Sequence, residues 1–390
     1  MDKQEKRIYI FAGESSGDIY GAKLATEAKR IAEERGVNLR ISGMGGERMA
    51  KAGVDLQVDS TELGVVGIFE ILKMIHVFIK IYFKLVKMAK TERPDAVVLI
   101  DYPGFNLAYT FAMARLNIPV IWYVSPQIWV WGKWRKKHLE RLCRKMLVIF
   151  PFETEVYNRE ILNVEFVGHP LLEIIDSRID RNIVRDERTF VLLPGSRSSE
   201  ITRLLTPMLD VVREIAPKHP ELEFVISAPR EKMAKLCEKI LNKYRKKHKD
   251  LPEIKLTCGT TRYYQQKATA GLAASGTVTV ESALTGLPLV VIYKMNFFTA
   301  LLALVLVKLY RGFFTMVNII LNKEVFQEFA QYKVNNKNLV PAVEAILPGG
   351  SRRKEVEADM VELRRVLSSD HKPSESAAIA VLDEISKADK

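Results

Sequence analysis

Thr189-Phe190-Val191-Leu192-Leu193 is an apolar run that stops at Pro194-Gly195-Ser196-Arg197. It is followed at once by a helical pattern from Ser198-Ser199-Glu200-Ile201. A buried strand that turns on small residues straight into a helix is the unit of parallel α/β sheets. Such a turn aims free backbone N–H groups and the positive end of a helix at one spot. Arg197 adds a forked cation there, and the combination suits a diphosphate. Ala274-Ser275-Gly276-Thr277 is a second turn of this kind, with Glu281 one helical turn further on. This half of the chain reads as a holder of a nucleotide diphosphate.

Strand and helix patterns alternate throughout, which predicts an α/β protein. In the first half, strands are expected at 8–12, 39–41, 96–100, 120–124, 146–150 and 165–167. Helices are expected at 19–35 and 47–52, the second entered through a turn at Gly43-Met44-Gly45-Gly46. The charged stretch 176–188 reads as a linker, after which the pattern restarts with strands at 190–193, 223–227, 254–257, 270–273 and 289–293. The expectation is two doubly wound domains facing across a cleft: residues 1–176, and 177–350 holding the nucleotide. The tail, 351–390, reads as charged helices that pack back on the first domain.

At 390 residues and 48% hydrophobic content, the chain can bury two ordinary cores. A formal net charge of +12 favours an anionic partner: nucleic acid, a phosphorylated substrate or an anionic membrane. Cys143, Cys237 and Cys258 have no metal-binding or disulfide spacing, which suits a reducing compartment. The apolar run at 8–12 is too short for a signal peptide, and no stretch is long enough to span a bilayer. A cytoplasmic location is expected.

In doubly wound sheets, ligands sit beyond the carboxyl ends of the strands. The polar residues found there are Glu14, Asp18, Asp101, Asn106, Ser125, Arg197, Ser275 and Glu281. Asp101 follows Val97-Val98-Leu99-Ile100 and precedes Tyr102-Pro103-Gly104, a turn that would hold a carboxylate at the edge of a cleft. Apolar neighbours would raise its pKa toward a value suited to taking a proton from a sugar hydroxyl. A helix cap is the equal alternative. Gly13-Glu14-Ser15-Ser16-Gly17-Asp18 lacks the G-x-G-x-x-G spacing of a nicotinamide-cofactor loop.

Three segments speak to membranes. In 69–90, Lys73, Lys80, Lys84, Lys87 and Lys90 fall on one helical stripe, with Ile75, Phe78, Ile81, Tyr82 and Leu85 on the other side. That pattern fits a helix lying in a lipid interface, or one packed on the sheet with a solvated lysine face. The apolar segment 297–309 is a core helix or a hydrophobic lip. Trp129, Trp131, Trp134, Arg135, Lys136, Lys137 and His138 interleave rings and cations. Without a nucleic-acid fold signature, this cluster favours a phosphorylated lipid over nucleic acid.

Taken in order, several blocks resemble the lipid-A-disaccharide synthases, membrane-associated glycosyltransferases of the two-domain GT-B fold. They are the segments 12–18, 43–46, 65–70, 101–106, 123–131 and 166–170, then Leu193-Pro194-Gly195-Ser196-Arg197 with Glu200-Ile201. Ala274-Ser275-Gly276-Thr277 with Glu281, the segment 291–294 and Asn318 complete the set. The resemblance implies a UDP-2,3-diacylglucosamine donor, a 2,3-diacylglucosamine 1-phosphate acceptor, inversion at the anomeric carbon, and no metal or other cofactor. It implies Asp101 as base and Arg197 as stabiliser of the leaving diphosphate. Donor contacts would come from Gly195, Ser196, Ser275, Gly276, Thr277, Glu281, Tyr293, Asn318, Glu328 and Gln331. Acceptor contacts would come from Glu14, Ser16, Asp18, Met44, Gly45, Asn106 and Ser125. It further implies work at the cytoplasmic face of the inner membrane, with a homodimer left open. The chain departs from the family pattern at Ser15, Gly104, Val317 and Gln327. Two rival readings are another UDP-sugar enzyme of this fold, such as a UDP-N-acetylglucosamine 2-epimerase or a cell-wall glycosyltransferase, and a non-enzymatic nucleotide-regulated membrane protein.

Overall fold

Ile8–Ala12 is apolar on every residue, so it suits a strand covered on both faces. It forms the fully buried end of a central strand, β1 (Gln4–Ala12). The computed structural model describes residues 4–60, 68–128, 134–294 and 312–387, with the backbone alone at 4, 68–74 and 134. Val65, Val66, Gly67, Trp129, Trp131, the side chains of Lys73 and Trp134, and the segment 297–309 lie outside what is described. Contacts divide the chain into two units: Met1–Glu173 with Leu367–Lys390, and Ile174–Val366.

In the first unit β1 is followed by α1 (Ser15–Glu34), β2 (Val37–Gly45), α2 (Glu47–Lys51), β3 (Asp55–Asp59), α3 (Ile68–Glu92), β4 (Ala96–Ile100) and α4 (Pro103–Arg115). Then come β5 (Val120–Tyr123), α5 (Trp134–Leu142), β6 (Lys145–Val148), β7 (Asn163–Phe166) and α6 (Pro170–Asp176). All strands pair in parallel, in the order β3-β2-β1-β4-β5-β6-β7. The order reverses between β1 and β4, where Ala12 pairs with Ile100. The two chain segments that leave this point are Gly13-Glu14 and Asp101-Tyr102.

The second unit repeats the plan with β8 (Asp186–Leu193), α7 (Ser198–Ile215), β9 (Glu223–Ala228), α8 (Glu231–Lys247), β10 (Ile254–Cys258), α9 (Thr261–Lys267) and β11 (Ala268–Ala274). It continues with α10 (Thr277–Leu284), β12 (Leu289–Tyr293), α11 (Met316–Leu321), β13 (Glu328–Ala330), α12 (Asn336–Glu344) and α13 (Arg353–Leu367). The order is β10-β9-β8-β11-β12-β13, again parallel, and it reverses between β8 and β11. Helix α7 buries Ile201, Leu204, Leu205, Met208, Leu209 and Val212. At about 1.5–3 kcal/mol per fully buried side chain, this face anchors the helix that the phosphate-type turn feeds.

The last helix, α14 (Pro373–Ser386), belongs to the first unit. Arg30 pairs with Glu375, Arg35 with Asp383 and Arg144 with Glu384, while the Ser374 hydroxyl donates to Glu173. Ala377, Ala378 and Val381 are fully buried.

Several local expectations are corrected. The stretch Gly43–Gly45 continues β2 instead of turning, and only Gly46 caps α2. The stretch 176–188 is not all linker, since β8 begins at Asp186. The edge strands β3 and β13 were not expected from sequence; β3 is largely half-buried, and β13 is only three residues long. On α3, Leu85 and Ala89 are buried and Phe78, Ile81 and Tyr82 pack on the core, yet Ile75 points outward. With Ile79 and Phe83 it forms an exposed apolar stripe at four-residue spacing, 51%, 50% and 64% exposed. Among the described residues, no helix is long and apolar enough to cross a membrane.

Candidate active site

At the first unit's crossover point the backbone is strained. Asp101 and Tyr102 both adopt left-handed conformations, with φ of 47° and 48°, and Val124 at the end of the neighbouring strand has φ of 65°. Non-glycine residues seldom adopt this region, and for a branched side chain such as valine it is a clear outlier. Three contacts hold the arrangement. The Asp101 N–H donates to the Tyr123 carbonyl at 3.1 Å. The Asn106 amide donates to the carbonyls of Ile100 and Asp101, at 3.3 and 2.6 Å. The Tyr102 ring lies over Gly13 so closely that a Cβ there would sit 2.3 Å from it.

The result is a half-buried carboxylate beside a second one. Burial, and then the charge of Glu14, push the Asp101 pKa up to about 6, while the Tyr102 N–H holds it down. Tyr102 is raised for the same two reasons. Asp101 is therefore ionised at neutral pH and still basic enough to accept a proton.

The other acceptor-side expectations divide. Glu14 and Ser16 are exposed at the start of α1. Asp18 is 2% exposed, and its carboxylate takes the N–H groups of Gly46, Arg48 and Met49. It caps α2 and is not free for a ligand. Met44 is part of the hydrophobic core and Gly45 is buried against Met49. Ser125 is buried, with its hydroxyl 2.8 Å from that of Tyr157. Asn106 is fully buried, and its Oδ1 has no hydrogen-bond partner among the described residues. Its geometry suits holding Asp101 more than touching a substrate.

In the second unit, a cavity of about 370 Å³ opens at the crossover of β8 and β11. Leu193, Gly195, Ser196 and Arg197 line one side; Ala274, Ser275, Gly276, Thr277, Val278 and Glu281 line another. Its size is that of a small-ligand pocket. Both turns read from sequence meet in it. They are not equivalent. Among the described residues, no acceptor takes the N–H groups of Thr277 and Val278 at the start of α10. The N–H groups of Ser196 and Arg197, by contrast, both donate to Glu200 Oε2, at 2.9 and 3.1 Å. The anion site after Gly195 already holds a carboxylate, which corrects the expectation of two open helix ends.

Glu281 is half-buried in the wall of the pocket. Burial raises its pKa, opposed by a hydrogen bond from Gln265 and by the charges of Arg262 and Arg178. Thr261, Arg262, Ser227 and Pro229 also line the cavity and were missed from sequence. Pro229 follows β9, Thr261 and Arg262 follow β10, and Ser227 lies near the end of β9 itself, so the same strand-end rule would have found them.

Asn318 and Glu328 form a clamp. The Glu328 carboxylate accepts from the N–H groups of Phe314 and Thr315 and from Asn318 Nδ2, at 2.8, 2.9 and 3.0 Å. Asn318 exchanges two hydrogen bonds with the Phe326 backbone. Burial raises the Glu328 pKa against these bonds. Both side chains are thus engaged by backbone, in contrast to the expected sugar contact. Tyr293 ends β12 with its ring 6.0 Å from that of Phe314. Gln331 has φ of 55°, and its buried Nε2 lacks a partner among the described residues. No group of three or more potential metal ligands comes together among the described residues.

Two parallel α/β sheets, each reversing at a crossover point, define the architecture of the GT-B fold, and comparison with solved structures agrees. A putative UDP-N-acetylglucosamine 2-epimerase from Listeria monocytogenes matches with a TM-score of 0.62 at 12% identity, covering 98% of this chain and 96% of that one. The glycotransferase of kitacinnamycin matches with a TM-score of 0.61 at 13% identity, covering 97% and 98%. At these identities the likeness is one of fold alone. The sequence narrows it: the family model described as lipid-A-disaccharide synthetase matches residues 8–382. The chain belongs to that family and is a glycosyltransferase. The lipid-A-disaccharide synthase of Syntrophus aciditrophicus (strain SB) is 34% identical over 391 residues, covering 98% of this chain and 99% of that one. That of Koribacter versatilis (strain Ellin345) is 34% identical over 379 residues, covering 95% and 96%.

Proposed function

We propose that the protein joins UDP-2,3-diacylglucosamine to 2,3-diacylglucosamine 1-phosphate, giving the β-1,6-linked disaccharide 1-phosphate and UDP. The observation that carries this reading is the cavity at the β8/β11 crossover, lined both by Arg197 and by Thr277 and Val278 with their open amides, the kinds of donor a diphosphate would require.

The chemistry follows from the groups present. Asp101 takes the proton of the acceptor 6-hydroxyl as its oxygen attacks the anomeric carbon. The bond from that carbon to the diphosphate oxygen breaks on the opposite face, so an α-linked donor gives a β product. UDP leaves with the electron pair. Arg197 and the N–H groups of Thr277 and Val278 stabilise the charge that develops on it. Glu281 accepts hydrogen bonds from the ribose hydroxyls, and the backbone near Tyr293 meets the uracil. A donor hydroxyl gives Gln331 Nε2 the partner it lacks. Asn318 and Glu328 act on the donor only by holding Phe314, Thr315 and Phe326 in place.

The acyl chains call for a lipid surface. The exposed Ile75, Ile79 and Phe83, flanked by Lys80, Lys84 and Lys87, suit a peripheral contact with an anionic membrane, here the cytoplasmic face of the inner membrane. The test is to mix purified protein with both acylated sugars in detergent and follow UDP release together with disaccharide. Asp101→Asn should lower turnover by about 10²–10⁴-fold while UDP still binds. No UDP release by the wild-type protein, or near-normal turnover by Asp101→Asn, would refute the proposal.

A further inference from the structure

The loop after β8 is built around Glu200. Its Oε2 accepts from the N–H groups of Ser196 and Arg197, and its Oε1 lies 3.2 Å from Arg197 Nη1. Gly195, at φ of 113°, is shaped for this contact, since a Cβ there would lie 2.4 Å from Glu200 Oε2. Apart from this pairing, the Arg197 side chain reaches into solvent, 76% exposed. Glu200 itself lines the cavity with Ser275, Gly276, Thr277 and Val278. A carboxylate thus occupies two backbone donors and the guanidinium, three groups that a diphosphate in the same cavity would use.

We propose that Glu200 is an internal stand-in for one phosphate of the donor, and that the diphosphate takes Arg197 and the loop amides from it on binding. Two anions cannot share these donors, because like charges this close repel strongly in a partly desolvated site. Glu200 therefore sets the affinity of the site for diphosphates. It keeps the loop folded and Arg197 neutralised while the site is empty. It also competes with UDP after the reaction, which speeds product loss. This inference rests on the donor-site reading above and adds a residue that lowers affinity instead of raising it.

Glu200→Gln separates these roles. Glutamine serves a capping box as glutamate does, so the helix start is kept while the negative charge is lost. Calorimetry on the full chain should give a UDP Kd three- to tenfold lower than wild type, a difference that shrinks with added salt. Binding of uridine, which has no phosphate, should be unchanged. A merely structural role predicts equal or weaker binding of both, and an unchanged or raised UDP Kd would overturn the proposal. A second readout needs no variant. In the wild-type protein, UDP should shift the amide resonances of Ser196 and Arg197, and uridine should not. UDP shifting Thr277 and Val278 while leaving Ser196 and Arg197 untouched would also overturn it. If the wild-type protein binds no UDP at all, the donor-site reading itself fails, which is a distinct result.

Discussion

The side-chain amide of Asn106 donates to the backbone carbonyl of Asp101 at 2.6 Å, and to that of Ile100 at 3.3 Å. One buried side chain thereby fixes the left-handed step at which the chain leaves β4 and presents its carboxylate. The base of the proposed reaction is aimed by a residue one helical turn further along.

Asn106→Ala should show this directly. Leaving buried carbonyls unpaired should destabilise the protein by about 1–3 kcal/mol, seen as a lower denaturant midpoint. Turnover should fall at least tenfold at temperatures where the variant is fully folded, with UDP affinity unchanged. Normal turnover in the folded variant would show that Asp101 needs no such brace.

Glu14→Gln should move the pH dependence. The Glu14 charge helps raise the Asp101 pKa to about 6, so removing it lowers that value. Activity depends on ionised Asp101 and is lost as pH falls through its pKa. The acid limb of kcat/KM should therefore start near 6 in the wild-type protein and shift to lower pH in Glu14→Gln. A limb that stays in place would assign it to another group.

Asn318→Ala distinguishes a clamp from a sugar contact. A clamp predicts a loss of stability of about 1–3 kcal/mol, from the unpaired Phe326 backbone and the weakened Glu328 site. A direct sugar contact predicts a raised donor KM in a protein as stable as wild type. Thermal unfolding measured beside donor KM decides between them.

Replacing Ile75, Ile79 and Phe83 together by serine should weaken binding to vesicles containing anionic lipid by tenfold or more. These side chains do not support the core, so UDP affinity and unfolding temperature should hold. Unchanged vesicle binding would move the lipid contact elsewhere.

The central strands were legible because burial on both faces leaves unbroken apolar runs: Ala96–Ile100 and Leu289–Tyr293 were read with their observed bounds. The edge strands were not, since Asp55–Asp59 carries acids at both ends and only partial burial. Strand-end logic put Asp101 just beyond β4, and Arg197 and Glu281 beyond β8 and β11, where the structure has them, because local sequence sets those positions. It misjudged Asp18 and Met44. Asp18 finds its partners 28 to 31 residues away, and Met44 is turned into the core by a strand that continues through its glycines. It also missed what Glu200 does, because a capping residue and an anion competitor look the same until the loop amides are seen to share one oxygen.

The helix Pro373–Ser386 closes over the helix Ser15–Glu34, from which it is separated in the chain by the whole of the second unit. The intervening unit, Ile174–Val366, is emitted whole before that helix exists. During synthesis the inserted unit can mature early, whereas the unit bearing Asp101 keeps an apolar seam along α1 uncovered until Pro373–Ser386 has been made.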